Sequence, residues 1–160
     1  MRNRHRRPLP PVMYASAIGL LAAALGGVTA SAASDVVLWE GLRAGMTPEE
    51  VMKAAPTSQA IEDPVTIDGQ LRLVRIKSLK IAGIEASAFF YFKSKHLSEV
   101  DLAAFGDLRP YIEAHYGPGK CRNDREIVRC EWRLQGLEIS EQTNNTSGMS
   151  HTFFSKADQN

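Results

Sequence analysis

An alternation of apolar and polar residues over positions 71–105 constrains the fold of this chain more than any other feature. Its clearest section has an apolar side chain at every second position: Ile84, Ala86, Ala88, Phe90 and Phe92. A period of two residues indicates β-strands with one packed face. Turns are expected at Ala82-Gly83 and over the polar run 93–96, which divides the segment into three antiparallel strands.

Two short helices are expected to flank these strands. Thr47 and Glu50 have the spacing of a capping box, and Pro56 ends the helix that begins there. Asp107 is the candidate cap of a second helix, which Gly117-Pro118 closes. Each helix has about two turns, so its stability has to come from packing against the strands.

The remaining segments complete the predicted fold. A turn of helix is expected over 38–42, and strands are expected again after Cys121, with a turn at Gly136 and a last short strand over 152–154. Four side chains of the first of these strands share a face: Val128, Cys130, Trp132 and Leu134. We therefore predict the α+β class, with short helices packed on an antiparallel sheet.

The two halves of the chain are similar in their order of elements. A pair of prolines flanks each predicted helix at the same separation, over 48–56 and over 110–118, and the segment 81–87 is similar to 134–140. One interpretation is an internal duplication that gives two tandem helix–strand–strand units. The other is coincidence between two similar patterns.

The first 32 residues have the three parts of a secretory signal peptide. A head with four arginines is followed by an apolar run over about 12–28 and by Ala30-Ser31-Ala32, the small-x-small cleavage pattern. We predict that residues 1–32 are removed, that residues 33–160 form a single globular domain, and that the protein is periplasmic or secreted. The alternative is an uncleaved membrane anchor, since the apolar run is close to the minimum length of a span.

Removal of the leader changes the charge of the chain. The 19 Lys and Arg residues less the four of the head leave 15, against 18 Asp and Glu residues, which gives a net charge of −3. A nucleic-acid partner requires a basic surface, so that class of partner is not expected. Stable membrane insertion after signal cleavage is not expected either.

Cys121 and Cys130 are the only cysteines of the chain. In an exported protein a local pair of cysteines indicates a disulfide, which would stabilise the fold by about 3 kcal/mol. A zinc site needs two more ligands and the histidines are scattered, while a redox centre usually has the spacing Cys-x-x-Cys. We expect a disulfide, with no metal and no cofactor.

Residues 42–51, with the sequence LRAGMTPEEV, resemble the opening of the SmpA/OmlA (BamE-like) family, whose domains begin with a G-M-T-x-x-x-V helix and continue into strands. The tandem order of helix and strands is also similar to the related beta-lactamase inhibitory protein fold. The resemblance implies an exported, non-enzymatic protein that binds other proteins across a sheet. This chain lacks the acylated cysteine of the outer-membrane assembly members, so direct anchoring to that membrane is not implied.

Four residues are the candidate protein-binding side chains. Phe89 and Tyr91 lie opposite the apolar set of their strand, and Arg129 and Arg133 have the equivalent outward positions in the second half. Aromatic rings interleaved with charges on a sheet face are typical of a contact surface. In the alternative interpretation both helices pack on that face, and the rings are ordinary core residues.

The sequence therefore predicts an exported periplasmic protein-binding module with an envelope-assembly or accessory role and another envelope protein as its partner. A small inhibitor of an envelope-directed hydrolase is the alternative. A hydrolytic enzyme has little support, because the chain has no Gly-x-Ser-x-Gly elbow, His-Glu-x-x-His helix or glycine-rich phosphate loop. No catalytic residue and no oligomeric state is assigned.

Overall fold

Strands dominate the computed structural model, which describes residues 36–157. Strands hold 61% of these residues and helices hold 12%. The first half contains β1 Val37–Trp39, β2 Leu42–Arg43, α1 Pro48–Ala54, β3 Gln59–Ile67, β4 Gln70–Ile81, β5 Ile84–Lys93 and β6 His96–Phe105. The second half contains α2 Arg109–Tyr116, β7 Lys120–Asp124, β8 Ile127–Leu134, β9 Leu137–Asn144 and β10 Met149–Lys156. The predicted α+β class is therefore wrong, and the fold is mainly β.

Eight strands form one antiparallel sheet with the order β3-β4-β5-β6-β10-β9-β8-β7. Each half of the chain supplies one helix followed by a four-stranded meander, and the last strands of the two meanders, β6 and β10, pair at the centre. Each observed unit therefore has four strands after its helix, two more than the predicted helix–strand–strand unit. The order of one helix and four strands nevertheless occurs twice along the chain.

Two strands that the sequence analysis did not predict explain why the α+β class was wrong. β3 and β7 are the two edge strands of the sheet, and nearly all of their side chains are exposed. An edge strand with no packed face needs no apolar alternation, so the period-two signal is absent there. In β3 the sequence also contains Asp63-Pro64, which is typical of a turn, and the pairing with β4 shifts register between Ala60 and Val65. The segment 38–42 is likewise a β1–β2 hairpin rather than a turn of helix.

The predicted turns and the predicted cap of α1 are confirmed, whereas the N-cap of α2 is Leu108 and not the predicted Asp107. Ala82 and Gly83 connect β4 to β5, both with positive φ, and Ser94 and Lys95 connect β5 to β6. At the start of α1, the Glu50 backbone N–H donates to Thr47 Oγ1 at 3.3 Å, and the Thr47 N–H donates to the Glu50 carboxylate at 2.8 Å. These bonds satisfy two of the helix's free donors.

The predicted disulfide between Cys121 and Cys130 is confirmed, and it joins the edge strand β7 to β8 at directly paired positions. Within residues 36–157 no helix is long and apolar enough to cross a membrane. The predicted leader over 1–32 and its cleavage site lie outside the described residues.

The core lies on one face of the sheet only. Both helices and the β1–β2 hairpin pack against this face, with Val51, Ile112 and Leu38 fully buried among sheet residues. Large buried side chains that the sheet contributes include Phe90, Phe92, Phe154, Leu102 and Ile139. All described elements outside the sheet thus lie on the same side, and the opposite face, here called the open face, has none of them on it.

Candidate functional site

The candidate site is the open face of the eight-stranded sheet. Directly paired residues of antiparallel strands share a face, so the register defines rows of side chains across the open face. The first row is Arg72, Tyr91, Glu99, Ser155, Glu138 and Arg133. The second row is Arg75, Phe89, Asp101, Phe153, Ser140, Glu131 and Lys120.

All four predicted binding residues lie on the open face, in two separate groups. Phe89 and Tyr91 belong to β5, whereas Arg129 and Arg133 belong to β8. Four strand spacings separate the groups, which is about 19 Å. Because the helices pack on the other face, neither aromatic ring lies beneath them. The role of these residues in binding stays a prediction.

A cleft of about 370 Å³ opens on this face around the first group. Its lining comes from six strands and is Ile67, Arg72, Phe89, Tyr91, Asp101, Gln142, His151 and Phe153. The cleft therefore spans the junction of the two meanders, where β6 pairs with β10. It combines apolar surface with one arginine, one carboxylate and one imidazole.

One wall of the cleft is an arginine stacked on aromatic rings. The guanidinium carbon of Arg72 lies 4.8 Å from the centroid of the Phe89 ring and 5.5 Å from that of the Tyr91 ring. Tyr91 is only 5% exposed, although it lies outside the cluster of core residues on the helix side. Its burial, helped by the charge of Asp101, raises the pKa of the Tyr91 hydroxyl. The hydroxyl is therefore neutral at physiological pH.

The floor of the cleft contains a carboxylate–imidazole pair. Nδ1 of His151 lies 3.1 Å from Oδ1 and 3.2 Å from Oδ2 of Asp101, whose side chain is almost fully buried. The hydrogen bond to Asp101 raises the pKa of His151, against an opposing effect of burial. The His151 ring also stacks on Phe153, with centroids 6.0 Å apart. The imidazole is thus held in one orientation, and its protonated form is favoured.

Glu99 extends the acidic character of this region along the first row. Burial, followed by the charges of Asp101 and Asp68, raises the pKa of the Glu99 carboxyl. Two acidic side chains of β6, Glu99 and Asp101, therefore share the open face two residues apart. Only Asp101 of the two has a basic partner in the described part of the chain.

The second predicted group, on β8, is more solvated. Arg133 forms an exposed ion pair with Glu138 at 3.6 Å. Arg133 also lines a separate cleft of about 300 Å³ beside the end of α2, together with Tyr116 and Trp132. An exposed pair of this kind contributes little to stability, so its side chains remain available for contacts.

The open face also carries large apolar side chains in contact with solvent. Phe105 is 75% exposed and Met149 is 37% exposed, and the two are directly paired at one end of β6 and β10. Val65 and Ile67 of β3 are 47% and 38% exposed, on the same face as Arg72. Aromatic, methionine and arginine side chains are the types enriched at protein interfaces.

Sequence reasoning missed Arg72, His151 and Phe153 as site residues. His151 and Phe153 lie in β10, and their place near Phe89 depends on the pairing of β10 with β6, which is distant in sequence. Arg72 lies in β4, which pairs with its sequence neighbour β5, but a register shift between Arg72 and Val74 interrupts the alternation there. The alternation of Thr152 and Phe154, both buried, with Phe153 was the available signal for an outward ring. No comparable signal marks Arg72.

A second polar cluster lies on the helix side of the sheet, away from the cleft. Glu141 is 2% exposed, and its carboxylate accepts a hydrogen bond from the Thr143 hydroxyl at 3.3 Å. Burial and the neighbouring Asp107 charge raise the pKa of Glu141 to about 7. Asp107 itself accepts from the Arg109 backbone N–H at 2.9 Å and pairs with its guanidinium, which connects this cluster to the start of α2. Its described contacts lie between residues of β9 and the start of α2.

Residues 36–157 contain no group of three or more His, Cys, Asp or Glu side chains placed to hold a metal ion. Comparison of the chain with protein-family models, with curated proteins and with solved structures finds no match.

Proposed function

We propose that this protein is an exported, non-enzymatic binding module that docks another envelope protein on its open face. The observation that carries the proposal is the solvent-exposed aromatic and apolar surface of Phe105, Met149, Val65 and Ile67 around a charged cleft. The two pairs lie at different ends of the open face, and exposed apolar side chains rimmed by polar residues are typical of a protein interaction site.

The size of the open face supports this proposal. Seven strand spacings give a width of about 34 Å, and an eight-residue strand is about 26 Å long, so the sheet offers on the order of 900 Å². A protein interface of standard size buries about 800 Å² on each partner. The open face is therefore large enough for one such interface.

The proposed location is the periplasm. The disulfide between Cys121 and Cys130 supports it, because structural disulfides form in oxidising compartments. The predicted leader and the resemblance of residues 42–51 to the SmpA/OmlA (BamE-like) family are parts of the same proposal. An envelope-directed hydrolase is one partner that such a surface could inhibit.

One variant pair tests the proposal by partner capture. Phe105→Ser removes the most exposed ring of the open face, and Val37→Ser is the matched control, since Val37 is 42% exposed and lies in the hairpin on the other side. Each tagged protein is incubated with periplasmic extract, and the captured proteins are quantified by mass spectrometry. We expect one envelope protein to be retained by wild type and Val37→Ser and lost with Phe105→Ser. Equal capture by both variants contradicts the proposal.

A hydrolytic enzyme is the second candidate, favoured by the Asp101–His151 pair. A buried carboxylate that orients an imidazole is the arrangement of a general base. Turnover of an ester or peptide panel that disappears in His151→Gln would support this candidate, and turnover that is absent from both proteins would remove it.

A further inference from the structure

We infer that Arg72 is the anchor of the open face and binds a side-chain carboxylate of the partner protein, with an apolar neighbour of that acid seated in the cleft. This inference rests on the proposed function, since it names the chemistry that the docked partner presents. It follows from the geometry of Arg72, its missing hydrogen bond, and the charges around it.

The guanidinium of Arg72 is already held in place before any partner binds. It lies over two rings of β5, at 4.8 Å from the Phe89 centroid and 5.5 Å from the Tyr91 centroid. Cation–π contacts fix the plane of the guanidinium, and a fixed fork loses less conformational entropy when it binds a carboxylate. Preorganisation of this kind is typical of residues that dominate an interface.

Arg72 also has an unused donor. Its Nε is buried and has no hydrogen-bond partner, as is also true of Nε of Arg75 and Arg129. Within residues 36–157 no carboxylate lies within ion-pair distance of these three arginines. Because Nε is shielded from solvent, a carboxylate supplied by another molecule would accept from the terminal nitrogens of the partly exposed Arg72 side chain.

The acids of the open face are not available to do this. Three of the four in the two rows already have basic partners: Asp101 with His151, Glu131 with Arg122, and Glu138 with Arg133. The fourth, Glu99, lies two strands from Arg72, a separation of about 10 Å. The complementary charge therefore has to come from the partner.

The cleft beside Arg72 defines what accompanies the carboxylate. Ile67, Phe89 and Phe153 give it apolar walls, and its volume of about 370 Å³ lies within the range of small binding clefts. An aromatic or large aliphatic side chain next to the acid would fill this space. The recognised feature is thus an acidic residue flanked by apolar ones.

The test uses blocked tripeptides and the Arg72 side chain as a reporter. ¹⁵N-labelled protein, purified from cells that express the full chain, is titrated with Phe-Glu-Phe, with Phe-Gln-Phe, and with Phe-Gln-Phe that carries a free C-terminal carboxylate. The Nε–Hε signal of Arg72 is assigned by its loss in Arg72→Lys. We expect the blocked Glu peptide to shift this signal and to bind at least tenfold more tightly than either Gln peptide. Equal affinity for the two blocked peptides, or preference for the C-terminal carboxylate, overturns the inference.

Two lysine variants test whether the Arg72 guanidinium itself, and not positive charge alone, binds the Glu peptide. Arg72→Lys keeps the charge and loses the fork, and we expect it to weaken binding of the Glu peptide at least fivefold. Arg129→Lys is the matched control, because its Nε is also buried and unpaired but lies five strands away. Equal binding by both variants overturns the inference, and the wild-type peptide comparison keeps the test decisive if Arg72→Lys does not fold.

Failure of this inference can be distinguished from failure of the proposed function. If Phe105→Ser abolishes partner capture while the Glu and Gln peptides bind equally, the docking face stands and the carboxylate assignment is wrong. If the Glu peptide binds Arg72 selectively while Phe105→Ser captures the same proteins as wild type, the carboxylate site stands and the proposed docking face is wrong.

Discussion

Replacement of Glu141 by glutamine should remove a large part of the pH dependence of stability. Glu141 is 2% exposed, and burial together with Asp107 raises its pKa from the ordinary value of 4.5 to about 7. The folded state thus holds a proton on this carboxyl more tightly than the unfolded state does. The stabilisation by this proton is fully present below about pH 4.5 and is lost as pH rises through about 7. The rise of this pKa from 4.5 to about 7 on folding lowers the free energy of unfolding by about 3 kcal/mol between low and high pH.

The glutamine side chain imitates the protonated acid, since its amide can donate to Asp107 and its carbonyl can accept from Thr143. Urea denaturation of wild type and Glu141→Gln between pH 4.5 and pH 8 measures the effect. We expect near-equal stability at pH 4.5 and a variant that is more stable by about 3 kcal/mol at pH 8. Other titrating groups are common to both proteins and cancel in the difference. Glu138→Gln, on the same strand but in an exposed ion pair, is the control for loss of a surface carboxylate. A stability difference for Glu141→Gln that does not change with pH would refute the reasoning.

Three further outcomes follow from the same structure. Asp101→Asn should lower the pKa of His151, because it removes the main cause of its elevation, and an NMR titration of the His151 ring signals that shows no change would contradict this. Reduction of the disulfide between β7 and β8 should lower the free energy of unfolding by about 3 kcal/mol, measured by urea denaturation with and without reductant, and unchanged stability would speak against a structural role. Gly119→Ala should destabilise the fold by about 1–3 kcal/mol, since its Cβ would overlap the Trp132 ring, and an unchanged melting temperature would show that this ring has room to move.

The central strands were predictable from the sequence, and the edge strands were not. Strands β5 and β6 have one face in the core, so burial imposes a period of two on their residues. β3 and β7 have no buried face, and Asp63-Pro64 in β3 resembles a turn, so nothing local distinguishes them from loops. The α+β prediction failed because these strands and the hairpin over 38–42 were not recognised as sheet.

For the candidate site, the sequence could predict only the face of the sheet on which Phe89 and Tyr91 lie. Alternation placed Phe89 and Tyr91 on the face opposite Phe90, and the structure has the helices on the Phe90 side. The cleft, however, exists because β6 pairs with β10, which brings His151 next to Asp101 across 50 residues of chain. Long-range pairing between two meanders leaves no mark on local periodicity, so His151 could not be assigned to the site from the sequence. Arg72 could not be assigned because a register shift beside it in β4 interrupts the alternation.

Hydroxyl-radical footprinting of the protein with its co-purified envelope partner tests the docking face most directly. Side-chain oxidation is quantified by mass spectrometry in the free protein and in the complex. We expect Phe105 and Met149, on the open face, to be protected in the complex, while Val37 and Met52, on the helix side, are oxidised at the same rate in both states. Protection of Val37 and Met52, with Phe105 and Met149 oxidised as in the free protein, would contradict the account.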